Sequence, residues 1–155
     1  MKKFMHKALA TVLAVASVSS LAACGSSSSS DDRKITIGIK FDQPGVGFKK
    51  GGTYTGFDVS VARYIANYMG YEDYQIEWKE APSKQREAML QNNDVDMILA
   101  SYSITDDRKK TVDFAGPYLV AGQDLLVRSD NTTIKGPNDL TGKRLCSVTG
   151  STSAV

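Results

Sequence analysis

The sequence predicts an α/β fold organised around a parallel sheet, and three observations carry that expectation. The run "KITIGIK" from Lys34 alternates apolar and polar residues with the period-two pattern of a strand. The run "GFDVSVARYIANYMGY" that follows places Phe57, Val61, Ile65 and Tyr68 at spacings of four, four and three, a helical repeat. A later run, "VDMILA", is apolar enough for a strand buried between helices. Strand, helix, strand, helix, strand is the order of parallel α/β units with right-handed crossovers.

Each element then finds its own signals. Gly70 marks the end of the first helix. "YQIEWKE" reads as the second strand, Ser83 as the N-cap of a helix running to about Gln91, and "NND" as its stop. After "VDMILA", Thr105 is placed to cap a short helix with Asp106 and Asp107 in its first turn, where acids suit the helix dipole. "DLLVR" reads as a further strand and "SDNTT" as a linker. A new unit opens with "GPNDLTGK", a helical turn, then "RLCSV", a strand, and "TGSTSAV". Only about 23 residues follow the linker, too few to close a core, so the reading is of a partial second unit. The expected organisation is residues 1–23, 24–33, 34–128 and 129–155.

The first two of those segments concern address. Lys2, Lys3 and Lys7 precede an uncharged stretch of small apolar residues at 8–23, too short and too rich in Ser and Ala for a spanning helix. This is the pattern of a secretory signal. "GSSSSSDD" after Cys24 builds no core and reads as a flexible tether.

Composition then removes chemistry. The whole chain has 19 Lys+Arg and 17 Asp+Glu, and three of the lysines lie in the signal, so the remainder is close to neutral. No basic field is left to attract nucleic acid. The one histidine, His6, lies in the signal too. Nucleophilic catalysis through a histidine base, and a histidine metal site, are therefore excluded from the remainder. Cys146 is the one thiol left besides Cys24, which excludes a cysteine metal cluster; neither metal nor cofactor is expected.

What survives is a receptor. "ASYSITDDRKKTVDFAGPY" gathers Ser101, Ser103, Thr105 and Arg108 where the third strand ends. Ligands of open α/β sheets gather beyond the carboxyl ends of strands. Hydroxyls, backbone amides and a guanidinium fork suit a carboxylate. Spacing alone equally allows a well-capped helix whose Arg108 pairs with Asp106 or points to solvent.

Resemblance favours the first reading. "ASYSITDDRKKTVDFAGPY", "GFDVSVA" and "DLTGKRL…TGST" resemble, in order, motifs of the extracytoplasmic solute-binding proteins of ABC importers for polar amino acids. The resemblance runs from about Ile35 onward. It implies a two-lobed periplasmic-binding-protein fold of type II, with the first lobe and the start of the second present here. It also implies that Arg108 grips an α-carboxylate, helped by Ser101 and Ser103 and, across the cleft, by Ser151 and Thr152. The group that holds the α-amino function belongs to the later part of the second lobe. "LAAC", ending at Cys24, resembles the lipobox of bacterial lipoproteins, which implies a lipid on Cys24 and a place on the outer face of the cell membrane.

"IGIKFDQPGVGF", "KEAPSKQRE" and "PYLVAGQDLLV" look most like glutamate-binding members. Lys40 and Arg86 match positions that meet the side-chain carboxylate in binders of acidic amino acids; the alternative for each is a solvated end-of-element charge. The implied partners are glutamate and the permease subunits of an importer. The alternative is an enzyme on the same fold, of dehydratase or cell-wall lyase type, which needs a general acid. Cys146, an odd thiol in an exported chain, points to a disulfide partner in the rest of the second lobe, the alternative being a buried free cysteine. Gly45 and Gly47 lack the third glycine of a dinucleotide loop. Tyr102 and Phe41 fit either ligand contact or core packing.

Overall fold

The computed structural model describes residues 33–154. The signal, Cys24 and nearly all of the tether lie outside the described residues. Two small sheets and three helices make up the ordered frame. Strand β1 (Ile35–Ile39) lies at the centre of a parallel sheet, flanked by β5 (Ile76–Glu80) and β6 (Met97–Ile98). Its register sets Ile35 beside Ile76 and Ile37 beside both Trp78 and Met97. In the order β5-β1-β6 the first crossover joins the neighbours β1 and β5, and the second passes over β1 to place β6 on its other side, as parallel α/β units require.

Helix α1 (Phe57–Tyr68) covers one face of this sheet and α2 (Arg86–Gln91) serves the other. On the first face Ile35, Ile37 and Ile39 meet Val59, Ala62 and Ala66, together with Ile76 and Leu99. Burying a Val or Ile side chain contributes about 1.5–3 kcal/mol, so this cluster holds the lobe together. On the second face Met89 joins Ala81 and Val95, with Ile98 packed against them.

The helical spacing identified α1 but not its buried face. Phe57 and Tyr68 are exposed and Val61 and Ile65 only border the core, whereas Val59, Ala62 and Ala66 are fully buried. The alanines let the helix approach the sheet closely, and the bulkier aromatics are left at its outer side. Ser83 does not cap its helix: it is buried inside a 3₁₀ turn, Ser83–Gln85, which begins after Pro82 and leads into α2. The stop is as expected, with Asn93 in the left-handed region at φ 57.

An antiparallel meander that the sequence reading passed over is inserted between β1 and α1. It comprises β2 (Asp42–Gln43), β3 (Gly47–Lys50) and β4 (Thr53–Thr55). The two-residue turn joining β3 to β4 is Gly51-Gly52, both with positive φ, as a tight hairpin requires. The meander is locked onto α1, because Phe57 N–H donates to Gly45 C=O and Asp58 N–H to Val46 C=O.

Beyond residue 101 regular structure is sparse. Helix α3 (Asp106–Lys109) forms where expected, and Pro137–Leu140 makes the expected turn. The two expected strands at 124–128 and 144–148 are not strands here. Strand formation requires a ladder partner, and no described strand lies alongside either segment.

Candidate functional site

Among the described residues, the buried charged side chains Lys40, Asp58 and Arg86 gather at the carboxyl edge of the parallel sheet. Arg86, at the start of α2, is only 2% exposed. Its Nε donates to Ala81 C=O and its Nη1 to Ser101 C=O, both at 3.1 Å. Ala81 follows β5 and Ser101 follows β6, so one guanidinium ties the ends of two strands together. Burial lowers the Arg86 pKa, an effect that the nearby Tyr102, Glu87 and Asp58 oppose and Arg108 reinforces.

Lys40, just past β1, is also buried and pairs with Asp42 at 3.0 Å. Lys40 and Arg86 are therefore both turned away from open solvent, with partners inside the lobe. Both cations are drawn inward by partners that only the fold supplies: a carboxylate two residues on, and two strand-end carbonyls.

Arg108 is placed differently. Thr105 caps α3 as expected, its hydroxyl accepting from Arg108 N–H at 3.3 Å. Asp106 and Asp107 pair with Lys109 and Lys110, which leaves Arg108 to other partners. Its Nε meets Glu87 at 3.2 Å, Nη1 donates to Ser103 C=O at 2.9 Å, and Nη2 donates to Gly150 C=O at 3.0 Å. A guanidinium has five N–H groups, so these contacts leave two for a ligand. The side chain is 13% exposed, sheltered but reachable.

Tyr102 is the platform between the two arginines. The Arg86 and Arg108 guanidinium carbons lie 5.1 and 4.6 Å from its ring centroid, within cation–π range. Phe114 tilts against the same ring at 5.2 Å between centroids. The Tyr102 hydroxyl is buried without a hydrogen bond of good geometry. Burial first, and the Glu87 carboxylate beside it second, raise its pKa well above the ordinary phenol value, so it stays neutral.

The start of the second unit completes the arrangement. Ser103 Oγ and Thr152 Oγ1 are 2.8 Å apart, and Gln123 Nε2 donates to Thr152 C=O at 3.3 Å. Gly150 has φ +79, and a Cβ there would lie 2.8 Å from Lys84 Cα. Only glycine allows that approach, which sets the Gly150 carbonyl on Arg108. Ser151 bonds instead within a hydroxyl group formed with Ser147 and Ser153. Ser101 Oγ reaches Gln43 at a long 3.4 Å. Of the expected ligand residues, then, Ser103, Arg108 and Thr152 converge; Ser101, Ser151, Lys40 and Arg86 stand behind or beside them. Cys146 is exposed and its thiol is free in this chain.

Glu87 and Tyr102 complete the Arg108 environment, and sequence reasoning assigned Glu87 no role. Adjacent residues on a helix point about 100° apart, so in "QREAML" Arg86 turns into the core while Glu87 turns toward Arg108. That signal was present, but it needed the position of Arg108 to be useful. A second missed feature joins α1 to the chain after the cis Gly116–Pro117 bond. The Tyr118 hydroxyl donates to Asp58 Oδ1 at 2.8 Å and lies 3.2 Å from Ala100 C=O. Asp58 is 1% exposed and its Oδ2 has no partner among the described residues. Burial raises its pKa, opposed by the Tyr118 bond and by Arg86.

The pattern of the bacterial extracellular solute-binding proteins, family 3, matches residues 35–149. The chain belongs to that family. The glutamate-binding protein GluB of Corynebacterium efficiens is 44% identical over 166 aligned residues, covering 99% of this chain and 56% of the relative. The glutamine-binding protein GlnH of Bacillus subtilis is 37% identical, covering 99% of this chain and 62% of the relative. The chain thus spans little more than half the length of these family 3 relatives. Among solved structures, an ancestral arginine-binding protein bound to glutamine is similar, with 35% identity and a TM-score of 0.65. That match covers 70% of this chain and 48% of the other. An ancestral amino acid-binding protein, a precursor of cyclohexadienyl dehydratase, is similar with a TM-score of 0.63 and 35% identity, covering 69% of this chain and 47% of the other. The family 3 chain accordingly has the mixed α/β, periplasmic-binding-protein architecture expected of it, with one lobe partly represented.

Proposed function

We propose that this chain is the first lobe, and the opening of the second, of a lipid-anchored protein that captures glutamate outside the cell membrane and delivers it to an ABC importer. One observation carries the reading: Arg108 is sheltered, held from three sides, and keeps two of its five N–H groups for a ligand. An α-carboxylate taking those two N–H groups lies beside the Ser103 and Thr152 hydroxyls. Ser101 and Ser151 supply further polar groups as the lobes close. Lys40 and Arg86 favour a second carboxylate by their charge, Arg86 from behind Tyr102 rather than by direct contact. The similarity to glutamate-binding relatives supports glutamate over neutral amino acids.

The anchor rests on Cys24 and on the Ser-rich stretch after it. A Cys24→Ala variant is expected to leave the membrane fraction or to remain unprocessed; processed and tightly bound protein would refute the anchor. For the ligand, calorimetry of the whole mature protein against the twenty amino acids is expected to give the tightest binding with glutamate. Tightest binding to a neutral or basic amino acid overturns the assignment. The likeness to a dehydratase precursor keeps one enzymatic reading in view. Incubation with prephenate is expected to give no turnover, because the sheltered cluster offers no histidine to act as general acid.

A further inference from the structure

The amino edge of the sheet, opposite the Arg108 cluster, carries an exposed tyrosine surface. Helix α1 begins at the carboxyl edge, where Asp58 meets Tyr118 and Ala100, and it ends at the amino edge. There Tyr71 N–H donates to Ala66 C=O and the Arg33 guanidinium lies over the Tyr71 ring at 5.3 Å. Gln75 donates to Arg33 C=O at 2.8 Å, fixing the point at which the chain enters β1. Around that point Tyr64, Tyr68 and Tyr74 are 73%, 87% and 76% exposed, and Met69 is exposed beside them. Tyr64 and Tyr68 are one turn apart on α1. Asp73, next to Tyr74, pairs with Arg63 at 3.5 Å and accepts from Asn67 at 3.4 Å, so the turn carrying Tyr74 is pinned to the same helix.

We infer that this face rests on the lipid bilayer, with Tyr64, Tyr68 and Tyr74 at headgroup depth. The inference builds on the proposed anchor. Eight residues lie between Cys24 and Arg33, nine steps along the chain with a reach of at most about 30 Å. A lipid on Cys24 therefore keeps the entry point of β1, and the tyrosines around it, within a short distance of the membrane. A tether of this length sets an effective concentration on the order of millimolar, so a weak surface affinity suffices for occupancy. Tyrosine suits the task because its ring is apolar and its hydroxyl wet, the balance found in interfacial aromatic belts. The charged groups here, Arg33, Arg63, Glu72 and Asp73, balance in sign, and Asp31 and Asp32 precede them in the tether, so no basic field selects an anionic surface and a zwitterionic one is the matching partner. In this resting posture the Arg108 cluster faces away from the membrane, open to arriving ligand. Transfer to a permease then requires the leash to let the lobe turn over.

Hydroxyl-radical footprinting on phosphatidylcholine vesicles tests this. Two samples are compared with the free mature protein: the natively processed protein, and mature protein carrying Cys146→Ser and coupled through Cys24 to a maleimide lipid. Labelling of Tyr64, Tyr68, Tyr74 and Met69 is expected to be lost on vesicles in the coupled sample, while Phe57, exposed at the opposite end of α1, labels unchanged. The combined variant Tyr64→Ser, Tyr68→Ser, Tyr74→Ser, with an unaltered melting temperature, is expected to regain labelling at Met69. Unchanged labelling of the tyrosines in the coupled sample overturns the inference whatever the native anchor is. Protection in the coupled sample with native protein that carries no lipid sustains the face and removes the anchor. Protection that appears only when vesicles contain a permease overturns the bilayer as the occupant.

Discussion

From Ile35 to Tyr102 the chain is held by ladders and by an apolar core; from Tyr118 onward, among the described residues, it has neither. Ile37, Ile39, Val59, Ala62 and Ala66 are wholly buried in the first region. Leu119, Val120, Leu126, Leu145 and Val148 are exposed in the second. Yet the Arg108 cluster draws on both: Arg86, Glu87 and Tyr102 from the ordered side, Gly150 and Thr152 from the other. The difference teaches how such a site divides its labour. The core-forming region positions the Arg86, Glu87 and Tyr102 side chains, and the later segment adds a backbone carbonyl and a hydroxyl through a few polar contacts.

The largest expected effect falls on the core-forming region. Arg86→Met leaves the Ala81 and Ser101 carbonyls without their donor, at about 1–3 kcal/mol each. Urea unfolding is expected to show this loss, and a variant as stable as the parent would remove Arg86 from its framework role. Arg108→Ala should do the reverse. It costs little stability, because Glu87 is partly solvated and such pairs contribute about 0–1 kcal/mol. Its loss from a closed site weakens amino-acid binding by about 2–5 kcal/mol, more than tenfold. Arg108→Lys restores only part of this, since an ammonium cannot form the fork. Equal stability losses in the Arg86 and Arg108 variants would erase the contrast between them.

A smaller effect belongs to the later segment. Gly150→Ala forces a left-handed residue to carry a Cβ, at about 1–2 kcal/mol, and pushes the loop from Lys84 and hence from Arg108. Ligand affinity should fall severalfold in titration calorimetry while the unfolding of the ordered region is unchanged. A fall in the stability of that region instead would make Gly150 part of the frame.

The smallest effect is expected where the two regions join. Asp58 has its pKa raised by burial, so the folded state holds a proton that the unfolded chain has released by about pH 4. The stability this carboxyl contributes is full below that ordinary value and is lost as pH rises through the raised one. Asp58→Asn keeps an acceptor for Tyr118 but cannot ionise. Its stability relative to the parent is therefore expected to improve from pH 4 to pH 7 in urea midpoints taken at both. A difference that stays constant with pH would show that Asp58 ionisation plays no part at this junction.

Much of this was legible in the chain. β1, α1 and the short Thr105-capped α3 follow from periodicity and capping, which are local properties. Arg108, Ser103 and Thr152 were legible as a set because the motifs around them resemble those of a family. The faces were harder to read. The apolar spacing of α1 pointed to Phe57 and Tyr68, but small residues won the core, since closeness of packing depends on the sheet beneath. Ser83 looked like a cap and became a buried turn residue once Pro82 fixed the entry to α2. The strand-like composition of residues 124–128 and 144–148 could not make strands, because a strand needs a neighbour that no single segment encodes.

By itself the sequence determined the parallel α/β class, the order of its main elements, and the exclusion of histidine chemistry from the ordered chain; these depend on residue type and on spacing over a few turns. Tertiary structure alone decided the fates of the cations. Arg86, Lys40 and Arg108 are indistinguishable as charges in a string of letters. Two strand-end carbonyls draw Arg86 inward, Asp42 occupies Lys40, and Glu87 with Gly150 holds Arg108 at the rim. Partners up to 42 residues away in sequence make that choice, because hydrogen bonds and ion pairs act over a few ångströms of space regardless of the length of chain between them.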